Sequence, residues 1–221
     1  MMTFGSDERR AAAISSAVAA GCMLGASFGL FYEGASRSVM GVVAGALVGV
    51  AFIVVSRLLL GHTRDAHVGN LRGARGLTAL MVIGVMTVHS FTEGAALGVS
   101  FAGEGSLGIV IAIAIAIYNI PEGVAISLVL IPYGASIRSA VGWSIFSSLP
   151  QPLTAVPAYL AVSTFEPLLP VGLGFAGGAM TWMVITQLLP ASLASGSRRV
   201  ALFALGASMV AMIAFEFAIG F

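Results

Sequence analysis

Polar side chains interrupt two long apolar segments of the sequence, near residues 88–94 and 117–123. In the first segment His89 and Glu93 are four residues apart, which places them on one face of a helix. The second segment carries Glu122. Imidazole and carboxylate groups bind Zn²⁺, Fe²⁺, Mn²⁺ and Co²⁺, and two carboxylates neutralise the charge of one divalent cation. The pattern therefore predicts a divalent metal site, provided that the two segments pack antiparallel as helices.

Two further polar residues could complete this site. Asn119 lies three residues before Glu122, and Gln151 lies between two prolines in a later apolar segment. Each also has a structural interpretation: the asparagine can cap backbone opened by a nearby proline, and the glutamine can pair with broken helix backbone. Ser90, which follows His89 directly, can bond its own helix. The residues themselves therefore suggest His89, Glu93, Asn119, Glu122 and Gln151 as ligands.

The elements that must position these side chains are membrane-spanning helices. Of the 221 residues 58% are hydrophobic and 9% are charged, whereas soluble domains contain about 25% charged residues. Seven apolar segments approach the length of about 20 residues that crosses the hydrocarbon core. We therefore expect an all-α polytopic protein with one transmembrane domain over residues 1–221. The spans lie at about 11–31, 39–60, 77–101, 107–131, 139–161, 168–189 and 200–220.

The arginines predict how these spans are oriented. Nine of the ten arginines fall on the side of the N-terminus, and Arg37 alone falls on the other. Because an excess of arginine marks the cytoplasmic side, we expect a cell-membrane protein with its N-terminus in the cytoplasm and its C-terminus outside. The outer side carries Glu33, Glu104 and Glu166, and we expect Glu216, near the outer end of the last span, to extend to the interface.

Glycines at four-residue spacing predict close packing between helices. In lipid, where the hydrophobic effect does not draw helices together, small residues at this spacing let two backbones approach each other. We expect a packing role, not a chemical one. The glycines are Gly25 and Gly29, then Gly41, Gly45 and Gly49, then Gly174 and Gly178.

The two polar segments resemble the fourth and fifth transmembrane motifs of the ZIP (Zrt/Irt-like) metal transporters, roughly His-Asn/Ser-x-x-Glu-Gly and His-Asn-x-Pro-Glu-Gly. Residues 19–28 resemble the second span of that family, and 177–180 with Leu189 and Pro190 resemble its seventh. The resemblance covers nearly the whole chain from residue 11. It implies an eight-span fold, of which this chain lacks the first span, and a two-metal site shared by the fourth to sixth spans.

The same resemblance implies that the chain transports divalent ions toward the cytoplasm by an elevator-like shift of helices. Zinc would be the main transported ion, and iron, manganese or cobalt are further possibilities. Met23, or Cys22 beside it, falls where the family sometimes makes a soft contact from its second span. Carried over residue by residue, the ligands are His89, Ser90 and Glu93 from one helix and Asn119 and Glu122 from the next, with Gln151 where the family often has Glu.

Departures from the family pattern leave alternatives open. Tyr118 replaces the usual histidine, and a phenol, which keeps its proton near neutral pH, is a poor zinc ligand. Thr186 and Gln187 stand where a His-Glu or Glu-Glu pair often lies. The main alternative is a structural or regulatory membrane subunit without transport. A membrane metalloenzyme is a third interpretation, but the sequence has no His-Glu-x-x-His segment, so we predict no enzymatic activity.

The expected partners are the lipid bilayer and divalent metal ions, with the metal as transported substrate. We expect no nucleic-acid partner, and a homodimer is left open. The loop residues His62, Asp65 and His67 could capture metal only weakly. Cys22 is the single cysteine, so the sequence excludes a disulfide framework and a zinc cluster of thiolates.

Overall fold

A computed structural model describes residues 6–61, 73–103, 105–131, 134–194 and 197–219. Across these ranges the chain forms helices and no strand, which confirms the predicted all-α fold. His62, Asp65, His67 and Glu104 lie outside the described residues. The helices are α1 (Ser6–Arg37), α2 (Val39–Gly61), α3 (Gly73–Gly103), α4 (Gly105–Leu130), α5 (Ile137–Ser148), α6 (Pro150–Thr164), α7 (Leu168–Met183), α8 (Leu189–Ala194) and α9 (Arg198–Ile219), with a π-helical turn, Val184–Leu188, between α7 and α8.

Among the described residues, six helical segments are long and apolar enough to cross a membrane. Each overlaps one of the segments predicted from hydropathy, because a helix must satisfy its own backbone groups wherever lipid replaces water. The polytopic architecture is therefore confirmed. The six segments are Ala13–Arg37, Val39–Leu59, Val82–Gly103, Ser106–Val124, Leu168–Ala194 and Arg198–Ala218.

The predicted fifth span, 139–161, differs from the others because it consists of two successive helices. α5 has 12 residues and α6 has 15, so each is shorter than the roughly 20 residues that cross the hydrocarbon core. Leu149 joins them in a helical conformation, and its N–H donates to the carbonyl of Phe146, 3.2 Å away. Pro150 has no N–H to continue the ladder, which explains why the helix is interrupted at this point.

The helices form two groups that meet across a shared apolar core. One group contains α1, α2, α7 and α9, and the other contains α3, α4, α5 and α6. α2 and α7 also contact α3, and α1 contacts α4. Met23, Ile111 and Met180, from α1, α4 and α7, are buried in this core. The two helices that carry the candidate ligands, α3 and α4, therefore both pack against helices of the other group.

The glycine spacing marks the closest helix contacts, as predicted. A side chain on Gly45 of α2 would overlap the carbonyl oxygen of Val171 in α7, and one on Gly178 would lie 2.6 Å from Ala46. Along α1, a Cβ on Gly25 would lie 2.6 Å from the side chain of Met212 in α9. The backbones of α2 and α7 can touch because glycine presents no side chain at the contact, whereas Gly25 leaves room for the side chain of Met212.

Three of the charged residues predicted for the outer side lie together at one end of the bundle. Nε of Arg37, at the end of α1, is 2.8 Å from Oε1 of Glu33. Nη1 of Arg37 is 3.8 Å from Oε1 of Glu166, in the connection between α6 and α7. The structure thus brings Glu166 to the same end of the molecule as Glu33 and Arg37 of α1.

The prediction for Glu216 was wrong. Its side chain does not extend outward but is 1% exposed between α9 and α1. Gly29 of α1 leaves the space that the carboxyl group occupies, since a Cβ there would lie 2.6 Å from Oε1 of Glu216. Among the described residues neither oxygen of this carboxyl group has a hydrogen-bond partner.

Candidate metal site

Three potential metal ligands converge where α3 packs against α4. One ligand atom each from His89, Glu93 and Glu122 lies within 4.8 Å of the other two. His89 is 1% and Glu93 0% exposed, and Glu122 is partly buried. Zinc ligands lie about 2.0–2.2 Å from the metal, so small side-chain movements would bring all three atoms to one ion.

The α3 part of the site follows directly from helix geometry. His89 and Glu93 are separated by four residues, and Nε2 of the histidine lies 3.9 Å from Oε1 of the glutamate. The carbonyl of His89 accepts a hydrogen bond of 2.8 Å from Oγ1 of the buried Thr92. Nδ1 of His89 has no hydrogen-bond partner within the part of the chain that the structure describes. The imidazole therefore has an unused ring nitrogen in a buried, acidic environment.

A sulfur atom from the other helix group approaches the same histidine. Sδ of Met23 in α1 lies 3.5 Å from Nε2 of His89, and the methionine is 1% exposed. Cys22, its neighbour in the sequence, is buried as well. Of the two α1 residues considered for a soft contact, Met23 is the one that reaches the site.

The other predicted ligands have different surroundings. Nδ2 of Asn119 donates a hydrogen bond of 3.1 Å to Oε1 of Gln151, so these two amides join α4 to α6. Ser90 is buried next to His89 in the sequence, at 2% exposure. The backbone of Tyr118 belongs to α4, but its side chain lies outside the described part of the structure. The metal role of these residues stays a prediction.

Thr186 and Gln187 belong to the π-helical turn that follows α7. Oγ1 of Thr186 donates to the carbonyl of Trp182 at 2.8 Å, within its own helix. π-helical turns occur often near functional sites, but this hydroxyl is engaged locally.

Sequence reasoning missed Thr154, which lies where α6 meets the site. Its hydroxyl oxygen is 2.7 Å from the carbonyl of Pro150 and 3.1 Å from that of Phe91 in α3. A threonine four residues after a proline is a usable signal, because threonine hydroxyls bond the carbonyl one turn earlier. The contact with α3 has no sequence signal of its own.

A comparison with protein families accounts for this arrangement of motifs. The family model described as ZIP zinc transporter matches residues 59–214, well over half of the chain. The chain belongs to the ZIP zinc transporter family. Its membership, together with six membrane-spanning helices, makes it an integral membrane protein.

Relatives of this ZIP family member include proteins from a plant and from bacteria. It is 47% identical over 182 residues to a putative zinc transporter of Arabidopsis thaliana. The matched region covers 81% of this chain and 29% of that protein. Identity to the zinc transporter GufA of Myxococcus xanthus is 35% over 182 residues, covering 81% of this chain and 71% of the relative. The zinc transporter ZupT of Corynebacterium glutamicum is 32% identical over 187 residues, with the same two coverages of 81% and 71%. These relatives are named as transporters and not as enzymes.

Proposed function

We propose that this chain transports divalent metal ions, zinc above all, through a site that includes His89, Glu93 and Glu122. The observation that carries the proposal is the convergence of an imidazole and two carboxylates within 4.8 Å, on two apolar helices of a ZIP family member. Charged side chains inside a membrane are costly and usually mark ion pathways. A divalent cation compensates the charge of both carboxylates.

The chemistry of these groups suits a transported ion. Carboxylates and imidazole are borderline to hard ligands, which accept Zn²⁺ and also Fe²⁺, Mn²⁺ or Co²⁺. The proposed route begins at the outer end, near Glu33 and Glu166, and ends on the arginine-rich cytoplasmic side. Asn119 and Ser90 are proposed as further oxygen donors. Ser90 follows His89 in the sequence, and Asn119 lies three residues before Glu122, about one helical turn away.

The main alternative is a membrane subunit that binds metal weakly or not at all. The hydrogen bond between Asn119 and Gln151 favours it, because it joins two neutral amides to each other without an ion. A purified protein that lacks both zinc binding and zinc uptake would support this alternative. Zinc binding without uptake would instead indicate a metal-binding regulatory role.

Metal uptake into liposomes tests the proposal. Purified protein is reconstituted into vesicles that contain a fluorescent zinc chelator, and initial rates are measured after external zinc is added. Wild type is expected to exceed empty vesicles, and Glu122→Ala is expected to abolish the excess because the site loses both a charge and an oxygen donor. Glu216→Ala is the matched control, since this buried carboxyl group lies between α9 and α1 and does not belong to the group formed by His89, Glu93 and Glu122. Equal uptake by wild type and Glu122→Ala would overturn the proposal.

A further inference from the structure

The first turn of α6 connects the two helices that carry the candidate ligands. On one side it contacts α3 through Thr154, whose single hydroxyl proton is shared between the carbonyl oxygen of Pro150 in α6, at 2.7 Å, and that of Phe91 in α3, at 3.1 Å. On the other side it contacts α4 through Gln151, whose Oε1 accepts the hydrogen bond from Nδ2 of Asn119 at 3.1 Å. We call Thr154 and Gln151 the α6 brace.

The contact with α3 occurs immediately beside the candidate ligands. Phe91 lies between His89 and Glu93 in the sequence, and Gly94 follows Glu93. A Cβ on Gly94 would overlap both the hydroxyl of Thr154 and the carbonyl oxygen of Gln151. The backbone of α6 thus rests directly on α3 at this glycine, which fixes the depth of Gln151 relative to Glu93.

The contact with α4 determines the orientation of an amide. The hydrogen bond uses the nitrogen of the Asn119 side chain, so Gln151 does not engage the carbonyl oxygen of that amide. Asn119 lies three residues before Glu122, on the neighbouring stripe of α4. An amide oxygen can bind a divalent ion, whereas the protonated amide nitrogen cannot, so the direction of this group matters for the site.

We propose that Gln151 and Thr154 are positioning residues of the metal site and not ligands. Thr154 holds α6 against α3, and Gln151 turns the amide of Asn119 so that its oxygen is presented to the ion held by His89, Glu93 and Glu122. This inference rests on the proposed transport function, and it replaces the predicted ligand role of Gln151. Because an amide oxygen is a hard donor, the brace favours harder ions such as Mn²⁺ more than Zn²⁺.

A pair of Thr154 variants tests the α3 side of the brace. Thr154→Val keeps the shape of the side chain without the hydroxyl, and Thr154→Ser keeps the hydroxyl. In liposome uptake we expect Thr154→Val to raise the KM for Mn²⁺ by roughly tenfold and that for Zn²⁺ by less, with the maximal rates nearly unchanged. Thr154→Ser is expected to match wild type. Identical kinetics for the valine and serine variants would overturn this part of the inference.

A double-mutant cycle tests the α4 side. If Gln151 acts only through Asn119, then Gln151→Leu raises the KM in the wild-type background but not in the Asn119→Ala background. Effects that add in the double variant would show that Gln151 acts independently of Asn119 and would overturn the proposal. Thermal unfolding of each purified variant checks the fold, and the Thr154 pair decides the proposal if Gln151→Leu does not fold. If vesicles with the wild-type protein show no uptake, the proposed transport function is wrong. If wild type transports and the variants have the same KM as wild type, only the positioning role is wrong.

Discussion

The thioether sulfur of Met23 in α1 lies 3.5 Å from Nε2 of His89 in α3. The two side chains belong to different helix groups, and each is 1% exposed. This contact is the point at which the group containing α1 reaches the candidate site on α3 and α4. A thioether is a soft donor and prefers soft metal ions to hard ones.

Replacement of Met23 by leucine is therefore expected to change ion preference. Leucine has a similar volume, so the packing of the core is largely preserved. We expect the KM for Cd²⁺ uptake to rise several-fold while the KM for Mn²⁺ stays near the wild-type value. Uptake of both ions into liposomes gives the ratio of the KM for Cd²⁺ to the KM for Mn²⁺. Met212→Leu, at the contact between α9 and α1, is the control and should leave this ratio unchanged. An equal change for both ions would show that Met23 only packs against the histidine.

The pH dependence of uptake follows from proton competition for the same ligands. Glutamate and histidine bind a metal ion in their deprotonated forms, so metal affinity falls as the pH falls. We expect the KM for zinc to rise on acidification. In Glu122→Gln the site loses one protonatable ligand, so the KM at neutral pH should be higher and its dependence on pH shallower. Initial rates measured across a pH series give both quantities, and an unchanged slope in Glu122→Gln would contradict a direct role of this carboxylate.

Much of the fold was predictable because lipid imposes strict conditions on the chain. Long apolar segments must be helices, and six of them appear where hydropathy places them. The interruption after Leu149 was not predicted. The sequence indicates a perturbed helix through Pro150, Pro152 and Pro157, but it does not determine whether the helix bends or continues straight. That outcome depends on how α5 and α6 pack against α3 and α4.

Only the part of the site that follows from helix periodicity was predictable from the sequence. The spacing of His89 and Glu93 determines that they share a face, and antiparallel packing then brings Glu122 near them. The contacts of Thr154 with Phe91 could not be foreseen, because they join residues 63 positions apart. The burial of Glu216 was missed for the same reason, since it depends on a glycine in the first helix.

Substitution of Gly94 tests the close contact between α3 and α6. In Gly94→Ala the new methyl group overlaps the hydroxyl of Thr154 and the carbonyl of Gln151, so α6 must move. We expect a loss of about 1–3 kcal/mol of stability and weaker zinc uptake. Gly142→Ala in α5 is the matched control, because nothing described lies within 4 Å of its new Cβ. Thermal unfolding in detergent compares the two variants, and equal transition temperatures would contradict the tight contact.

Glu216 offers a test of stability that is separate from the metal site. It lies against Gly29, and both of its carboxyl oxygens have no hydrogen-bond partner among the residues that the structure describes. An unsatisfied polar group in such a place costs about 1–3 kcal/mol, so Glu216→Met is expected to stabilise the protein by a similar amount. Zinc uptake should stay at the wild-type level, because Glu216 lies in α9, whereas the candidate ligands lie in α3 and α4, which belong to the other helix group. Thermal unfolding and liposome uptake measure the two effects; a lower transition temperature would mean that the carboxyl group makes a stabilising interaction in the membrane.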